Sequence, residues 1–461
     1  MGAPRPGPAG PRGGHRAVRR PVVTAVFPAS ATFSGPRLVA VGGVPVTELA
    51  ARFGTPLYVL DRAELVGRMR AYRRAFGDEV AVTYAAKALC VTGVLQLAAA
   101  EGLHLDVASA GELHTAARAA FPMERVLFHG NNKSDDELEM AARLGVGRIA
   151  VDSFTELARL SAVGQRRGHT FPVLLRVTPG VLAETHAFVA TGQDDVKFGF
   201  TLRAGLAHEA AARALTLPCL ELIGAHCHLG SQISAEGGFS AAVALLVGFL
   251  ADIRDRYGVV LDELNVGGGL GIAYTDDDVT LPLDRYAATL YGAVRRETAR
   301  RRLPEPRLAV EPGRSIAGPA GVTLYTVGTV KEVPGVRVYA SVDGGMSDNL
   351  RPALYGARYT VVAAGPGSTT AALRPVTVAG KHCETGDILV RDAPLPADLA
   401  EGGLLAVAAT GAYGHAMASN YNRLPRPAMV LVDGGRVAEL VHRETLDHVV
   451  ARDVVLNDEQ I

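Results

Sequence analysis

VAVTYAAKA, residues 80–88, is a small apolar and β-branched run that closes on a single lysine. It reads as a buried strand with Lys87 at its C-terminal end. A lone buried ammonium is costly unless it is paired or has lost its charge. Such a lysine ordinarily snorkels, its head in water. The alternative is a desolvated amine of lowered pKa, ready to form a Schiff base with a carbonyl. What stands at the ends of the neighbouring runs decides between them.

Moving outward, the same kind of run recurs as LHLDVAS (103–109), RVLFHG (125–130), RIAVDS (148–153) and FPVLLRVTP (171–179). It continues as ELIGAHCHLGS (221–231), LDELNVGGG (261–269) and PRLAVEPGR (306–314). Segments of helical period lie between them. In SDDELEMAARLG (134–145), Ser134 followed by Glu137 makes a capping box, and FSAAVALLVGFLADIRDRYG (239–258) stops at Tyr-Gly. Eight alternations within about 250 residues predict a (β/α)8 barrel over 56–315. A doubly wound open sheet would carry a G-x-G-x-x-G turn after its first strand, and none is there.

Beyond residue 315 the texture changes to short alternating segments such as GVTLYTVGTVKEV, VRVYASVDGG and AMVLVDGGRVAELVHR. These predict an antiparallel β-sandwich or β-barrel domain over 316–461, and residues 21–55 have the same texture and are expected to join it. Residues 1–20, rich in Pro, Gly and Arg, predict a disordered tail. Arg19-Arg20 is not followed by the apolar region of a twin-arginine signal, because Pro28 and the polar 30–34 stretch interrupt it.

The 461 residues are 48% hydrophobic, enough for two cores. Lysine and arginine number 47, balanced by 47 acids, so net charge lends no support to a nucleic-acid or membrane-surface partner. No uninterrupted apolar run approaches the roughly 20 residues that span a bilayer. Cys90, Cys219, Cys227 and Cys383 are scattered, without a C-x-x-C pair. That usage fits a reducing cytoplasm and argues against structural zinc.

The polar residues collect at the strand ends. Lys87 closes the first strand, Asp106 and Ser109 the second, and His129, Asn131 and Asn132 follow the third. His226, His228 and Ser231 end the sixth, Gly267–Gly269 the seventh, and Glu311 with Arg314 the eighth. In such a barrel these ends share one face, where catalytic groups gather. Each cluster has an ordinary explanation by itself: a tight turn for the glycines, a rim salt bridge for Glu311 and Arg314, partly buried imidazoles for the histidines. Two histidines on one strand face also suggest a metal. In the metal-dependent hydrolases with this barrel, however, the histidine pair comes first and the lysine later. The order is reversed here, and no metal is expected.

Taken together the clusters describe one device. Successive glycines let backbone N–H groups approach a phosphate, with Ser231 and Arg314 beside them. A histidine can lie flat on a ring. A carboxylate about 4 Å from a pyridine nitrogen, at an effective dielectric near 20, is worth roughly 4 kcal/mol, enough to hold that nitrogen protonated. A lysine takes an aldehyde. Pyridoxal 5'-phosphate needs all four, and a snorkelling Lys87 would explain none of the other three.

With these residues in view, the chain resembles the diaminopimelate decarboxylases, fold-type III pyridoxal phosphate enzymes. The likeness runs from FGTPLYVLD (53–61) through YAAKA, FHGNNKS (128–134), HCHLGSQI (226–233), NVGGGLGIAY (265–274) and VEPGRSIAGP (310–319). It continues in DGGMSDNLRPALYGA (343–357), GKHCETGD (380–387) and GAYGHAMASNYNRLPRP (411–427). His415-Ala416 departs from the usual pattern, and residues 1–20 have no functional counterpart in it.

The resemblance implies a cytoplasmic carboxy-lyase of lysine biosynthesis, acting on meso-2,6-diaminopimelate at its D-centre to give L-lysine and carbon dioxide. Lys87 would hold the cofactor, His228 stack on its ring, and Glu311 meet its nitrogen. Asp106, Ser231, Gly268, Gly269, Gly313, Arg314 and Tyr413 would complete the cofactor site. Arg314, Arg351, Tyr355, Glu384 and Tyr413 would bind substrate, and Cys383 would be the proton donor. Cys383 and Glu384 are implied to come from the partner subunit of a homodimer. By itself a strand cysteine such as Cys383 is more often a small buried hydrophobe. The alternatives are a decarboxylase of D-lysine, D-ornithine or carboxylated polyamines, an amino-acid racemase on the same barrel, and a relative that has lost catalysis.

Overall fold

The computed structural model describes residues 25–181 and 197–456. The expected tail, 1–20, lies outside the described residues, as does 21–24 of the N-terminal segment.

Eight parallel strands close into a barrel: Ala81–Ala85, His104–Val107, Val126–Phe128, Arg148–Val151, Phe171–Thr178, Leu220–His226, Glu263–Asn265 and Arg307–Val310. Each pairs with the next, and Ala309 and Val310 return to Ala81 and Val82. Their inner and outer faces are both covered, which is why they read as nearly continuous apolar runs. A short strand, Phe200–Thr201, pairs in parallel with the last two residues of the fifth, Val177 and Thr178.

One local device recurs behind the second, third and fourth strands. Ser109, Ser134 and Ser153 cap the following helices, each accepting from the backbone N–H of the glutamate three residues on. Glu112 and Glu156 reach back to the N–H groups of Ala108 (2.7 Å) and Asp152 (2.9 Å). Each strand-to-helix corner is thereby pinned, and with it the side chains at the strand ends. Ser109 is a cap, not a member of the cavity wall.

The second domain is a curled, mostly antiparallel sheet of twelve strands. It takes in the N-terminal strands Thr32–Ser34, Arg37–Val41 and Val44–Pro45, as their texture predicts. Three pairs run parallel: Arg37–Val41 with Val361–Ala364, Leu57–Asp61 with Ala428–Asp433, and Arg337–Val342 with Leu373–Ala379. Leu57–Asp61 falls inside the 56–315 range assigned to the barrel, yet it lies between Gly321–Val333 and Ala428–Asp433 in this sheet. A five-residue apolar strand carries no mark of which sheet will take it. The barrel's own elements therefore begin with the helix Arg62–Phe76.

Glu236–Tyr257, with the αL Gly258 at its end, is 22 residues long and apolar enough by length and composition to cross a bilayer. Val243, Leu246, Val247 and Leu250 are buried in the barrel core, so its apolarity serves packing.

Candidate active site

A cavity of about 300 Å³ opens at the C-terminal ends of the barrel strands. The barrel lines it with Lys87, Asp106, His228, Ser231, Gly269 and Glu311. Gly313 and Arg314 follow the last strand, and the β domain adds Arg351, Tyr355 and Tyr413. A larger cavity, about 520 Å³, lies on the β domain around 358–363 and 388–396 and contains none of the strand-end groups.

Lys87 sits on a single 3₁₀ turn, Ala86–Ala88, directly after the first strand. It is an exposed residue that lines the cavity. Burial lowers the amine's pKa, but Asp106 raises it, with Tyr413 and Glu311 adding to that, and the balance lies above the ordinary lysine value. The lowered pKa expected from sequence is thus not found in the free side chain. The opposing acids come from other strands, and the apolar run around Lys87 says nothing of them. Burial raises the Asp106 carboxyl, against the pull of His129, 3.9 Å away.

Glu311 is held by three donors. His129 Nε2 and Asn265 Nδ2 each donate to Oε1 at 2.9 Å, and His226 Nε2 donates to Oε2 at 3.3 Å. Burial alone would raise this carboxyl, but His129 and His226 outweigh it and hold it well below the usual carboxylate range. An ionised carboxylate has about four lone-pair sites, so one remains for a ring nitrogen in the cavity. His129, His226 and Glu311 also lie close enough together for metal ligands. Their direct hydrogen bonds instead make the two imidazoles supports of the carboxylate.

The imidazole of His228 accepts from the Gly268 N–H at Nδ1, 3.2 Å away, which leaves Nε2 protonated in the neutral ring. Burial, with Lys87 and Arg176, pushes its pKa well below the ordinary value, so the ring is uncharged. A neutral ring suits stacking on a cationic pyridine. Gly268 is expected from sequence to touch the cofactor. It is not among the residues that line the cavity, and its N–H donates to His228. A Cβ at Gly268 would come 2.2 Å from the Glu311 carbonyl, and one at Gly269 (φ +112°) 2.5 Å from that of Gly230. Only glycine lets these strand ends approach so closely.

Arg314 donates to Ser231 Oγ from Nε (3.2 Å) and Nη2 (2.9 Å). Ser231, Gly269 and Gly313 line one corner of the cavity with a hydroxyl and close-approaching backbone that suit a phosphate, and the Arg314 guanidinium stands beside it. Lysine, carboxylate, neutral imidazole and anion corner thus converge on one cavity, and they fit pyridoxal phosphate.

Comparison with known proteins agrees. Residues 62–318 match the family model of the pyridoxal-dependent decarboxylase, pyridoxal binding domain. The diaminopimelate decarboxylase of Bacillus subtilis is 48% identical over 417 residues, covering 90% of this chain and 94% of that protein. The chain belongs to the diaminopimelate decarboxylase family.

Actinosynnema pretiosum has a member of the family 49% identical over 414 residues, 90% of this chain and 92% of that one. A crystal structure of diaminopimelate decarboxylase from M. jannaschii in complex with L-lysine superposes with a TM-score of 0.87 at 31% identity, covering 94% of this chain and 99% of that one. The lysine/ornithine decarboxylase from Vibrio vulnificus, 23% identical with a TM-score of 0.71, shares the fold.

Two residues that the family resemblance places at the site are not in this cavity. Cys383 and Glu384 are exposed and lie outside the cavity of their own chain. Their loop is nevertheless firmly built. Asp387 accepts from the N–H of Met346 (2.7 Å) and from both the N–H (3.0 Å) and Nδ1 (2.7 Å) of His382, and the Cys383 N–H donates to Asn422 Oδ1 (2.9 Å). His382 also stacks on Tyr421, with ring centroids 5.6 Å apart.

Sequence reasoning leaves three contributors without a role. His129 and His226 are visible as strand-end residues, but not as partners of Glu311. Arg176 passes unnoticed although it lines the cavity, 3.7 Å from Asp152 and over the ring of Phe198. Its signal is a charged residue interrupting the apolar FPVLLRVTP.

Proposed function

We propose that this chain decarboxylates meso-2,6-diaminopimelate at its D-centre to give L-lysine and carbon dioxide, in the cytoplasm and as a homodimer. The observation that carries the reading is a pair of buried cations. Arg314 and Arg351 face the Lys87 cavity, and among the described residues neither meets a carboxylate. A substrate with a second carboxylate supplies the missing charge; one without it leaves the arginines unmatched.

Pyridoxal phosphate, when bound, supplies an aldehyde for amines and a conjugated ring that takes up the electron pair left as carbon dioxide departs. The protein's part is to bind and to direct. Lys87 Nζ would hold the aldehyde. Glu311 would meet the ring nitrogen and favour its protonated form, and neutral His228 would stack on the ring. Arg314, Arg351 and Tyr355 take the distal carboxylate, and Tyr413 borders both cofactor and substrate.

Cys383 Sγ returns a proton to the α-carbon, and Glu384 receives the distal ammonium. Both would act in the cavity of a second copy, which their exposed yet well-anchored loop supports. The four free thiols are in keeping with a reducing compartment.

Purified protein with pyridoxal phosphate and meso-diaminopimelate should release lysine and carbon dioxide in equal amounts. A panel containing D-lysine, D-ornithine and a carboxylated polyamine, ranked by kcat/KM, decides against the alternatives. Faster turnover of any of these than of diaminopimelate removes the reading.

A further inference from the structure

Among the described residues three arginines are buried: Arg37, Arg314 and Arg351. Arg37 sits on Asp398 at 3.0 Å. The two that face the cavity are held differently. Arg314 Nη1 donates to the hydroxyl of Tyr274 at 2.6 Å, and Arg351 Nη1 donates to that of Tyr359 at 2.5 Å. The Arg351 guanidinium also lies over both rings, 4.6 Å from the centroid of Tyr274 and 5.5 Å from that of Tyr359. The two rings meet edge-on, with centroids 5.0 Å apart. Arg314 in turn covers Tyr413 at 4.5 Å.

Tyr274 is therefore the shared member, its face beneath one guanidinium and its hydroxyl on the other. Its backbone is tied on both sides. The N–H donates to Asp278 Oδ2 (2.8 Å), and the carbonyl accepts from the N–H (3.1 Å) and Oγ1 (2.8 Å) of Thr360, next in sequence to Tyr359.

A carboxylate in this place would hold the arginines well but would cancel their charge. Tyrosine supplies an acceptor oxygen and a negative ring face with no formal charge, so both cations stay available to an anion. Tyr274 does not itself line the cavity.

We infer that Tyr274 and Tyr359 are positioning residues that fix Arg314 and Arg351 as one doubly charged clamp and so set the preference for a substrate with a distal carboxylate. The inference rests on the decarboxylase reading above and names residues that act through the arginines.

The test is steady-state kinetics with meso-diaminopimelate at saturating pyridoxal phosphate. Tyr274→Phe keeps the ring under Arg351 and removes only the acceptor for Arg314 Nη1, leaving Nε and Nη2 on Ser231. Tyr359→Phe removes the acceptor for Arg351. Tyr274→Leu removes ring and hydroxyl together. Each Phe variant is expected to raise KM about tenfold, the loss of one hydrogen bond to a charged group, with kcat within about twofold of wild type. Tyr274→Leu is expected to raise KM further, and all three should keep the cofactor's absorption band.

Unchanged KM in both Phe variants overturns the inference, as does a fall in kcat at constant KM. If Tyr274→Leu does not fold, the Phe pair decides. A wild type that fails to turn over diaminopimelate removes the decarboxylase reading and this inference with it. An active wild type with unaffected Phe variants removes the inference alone.

Discussion

The backbone N–H of Tyr413 donates to the carbonyl of Ala88 at 2.9 Å. A β-domain residue thus closes the turn that presents Lys87, and the two domains build one site. Tyr413 holds φ at +58°, a left-handed conformation uncommon for a bulky residue. The neighbouring Gly411 makes that approach possible, because a Cβ there would stand 1.9 Å from the Ala317 carbonyl.

Gly411→Ala is accordingly expected to push this segment away from Ala317 at the end of the helix Arg314–Ala317. Overpacking of this kind costs about 1–3 kcal/mol. A lower Tm and weaker retention of pyridoxal phosphate on dialysis, measured against wild type, check it; an unchanged Tm would contradict the packing account.

Lys87→Ala should bind the cofactor only reversibly and lose catalysis by about three orders of magnitude or more. Borohydride reduction followed by peptide mapping should tag Lys87 in wild type and nothing in the variant. A tag on Lys133, which is committed to Glu156 at 2.6 Å, would be incompatible with the site described.

Acid should weaken the fold through His226. Burial holds its folded pKa at about 4, against an ordinary 6.5. The unfolded chain therefore takes up the proton first, so this contribution is complete above pH 6.5 and is lost as the pH falls toward 4. The gap amounts to on the order of 3 kcal/mol. Thermal midpoints of the cofactor-free protein between pH 7 and pH 4.5 should fall more steeply for wild type than for His226→Gln. Parallel curves would mean that His226 is not the group involved.

Mixing tests the shared site. Lys87→Ala and Cys383→Ala should each be inactive alone. If a second copy completes each cavity, random reassortment of dimers makes about half of them mixed, each with one intact site, and restores about a quarter of wild-type activity. Activity that stays at the level of the separate variants would show that Cys383 does not act across a dimer.

Much of this architecture was legible in the residues. Parallel strands buried on both faces appear as apolar runs, and a barrel's active face appears as the polar residues that end them. Lys87, Asp106, His228 and Glu311 could be found that way, because their positions follow from strand periodicity alone. Leu57–Asp61 could not be placed, since its apolar pattern suits either sheet. Arg176 was hidden because one charge within a strand is not an end signal.

What the sequence by itself determined is the closed barrel, the second β domain and the set of side chains brought to one rim, all consequences of local period and turn chemistry. Only the tertiary structure decided the charge states and the alliances. Asp106 holds the Lys87 pKa up, His129 and His226 keep Glu311 ionised, and Tyr274 stands between Arg314 and Arg351. The physical reason is that electrostatic energies depend on separation and burial, and these neighbours come from different strands, far apart along the chain.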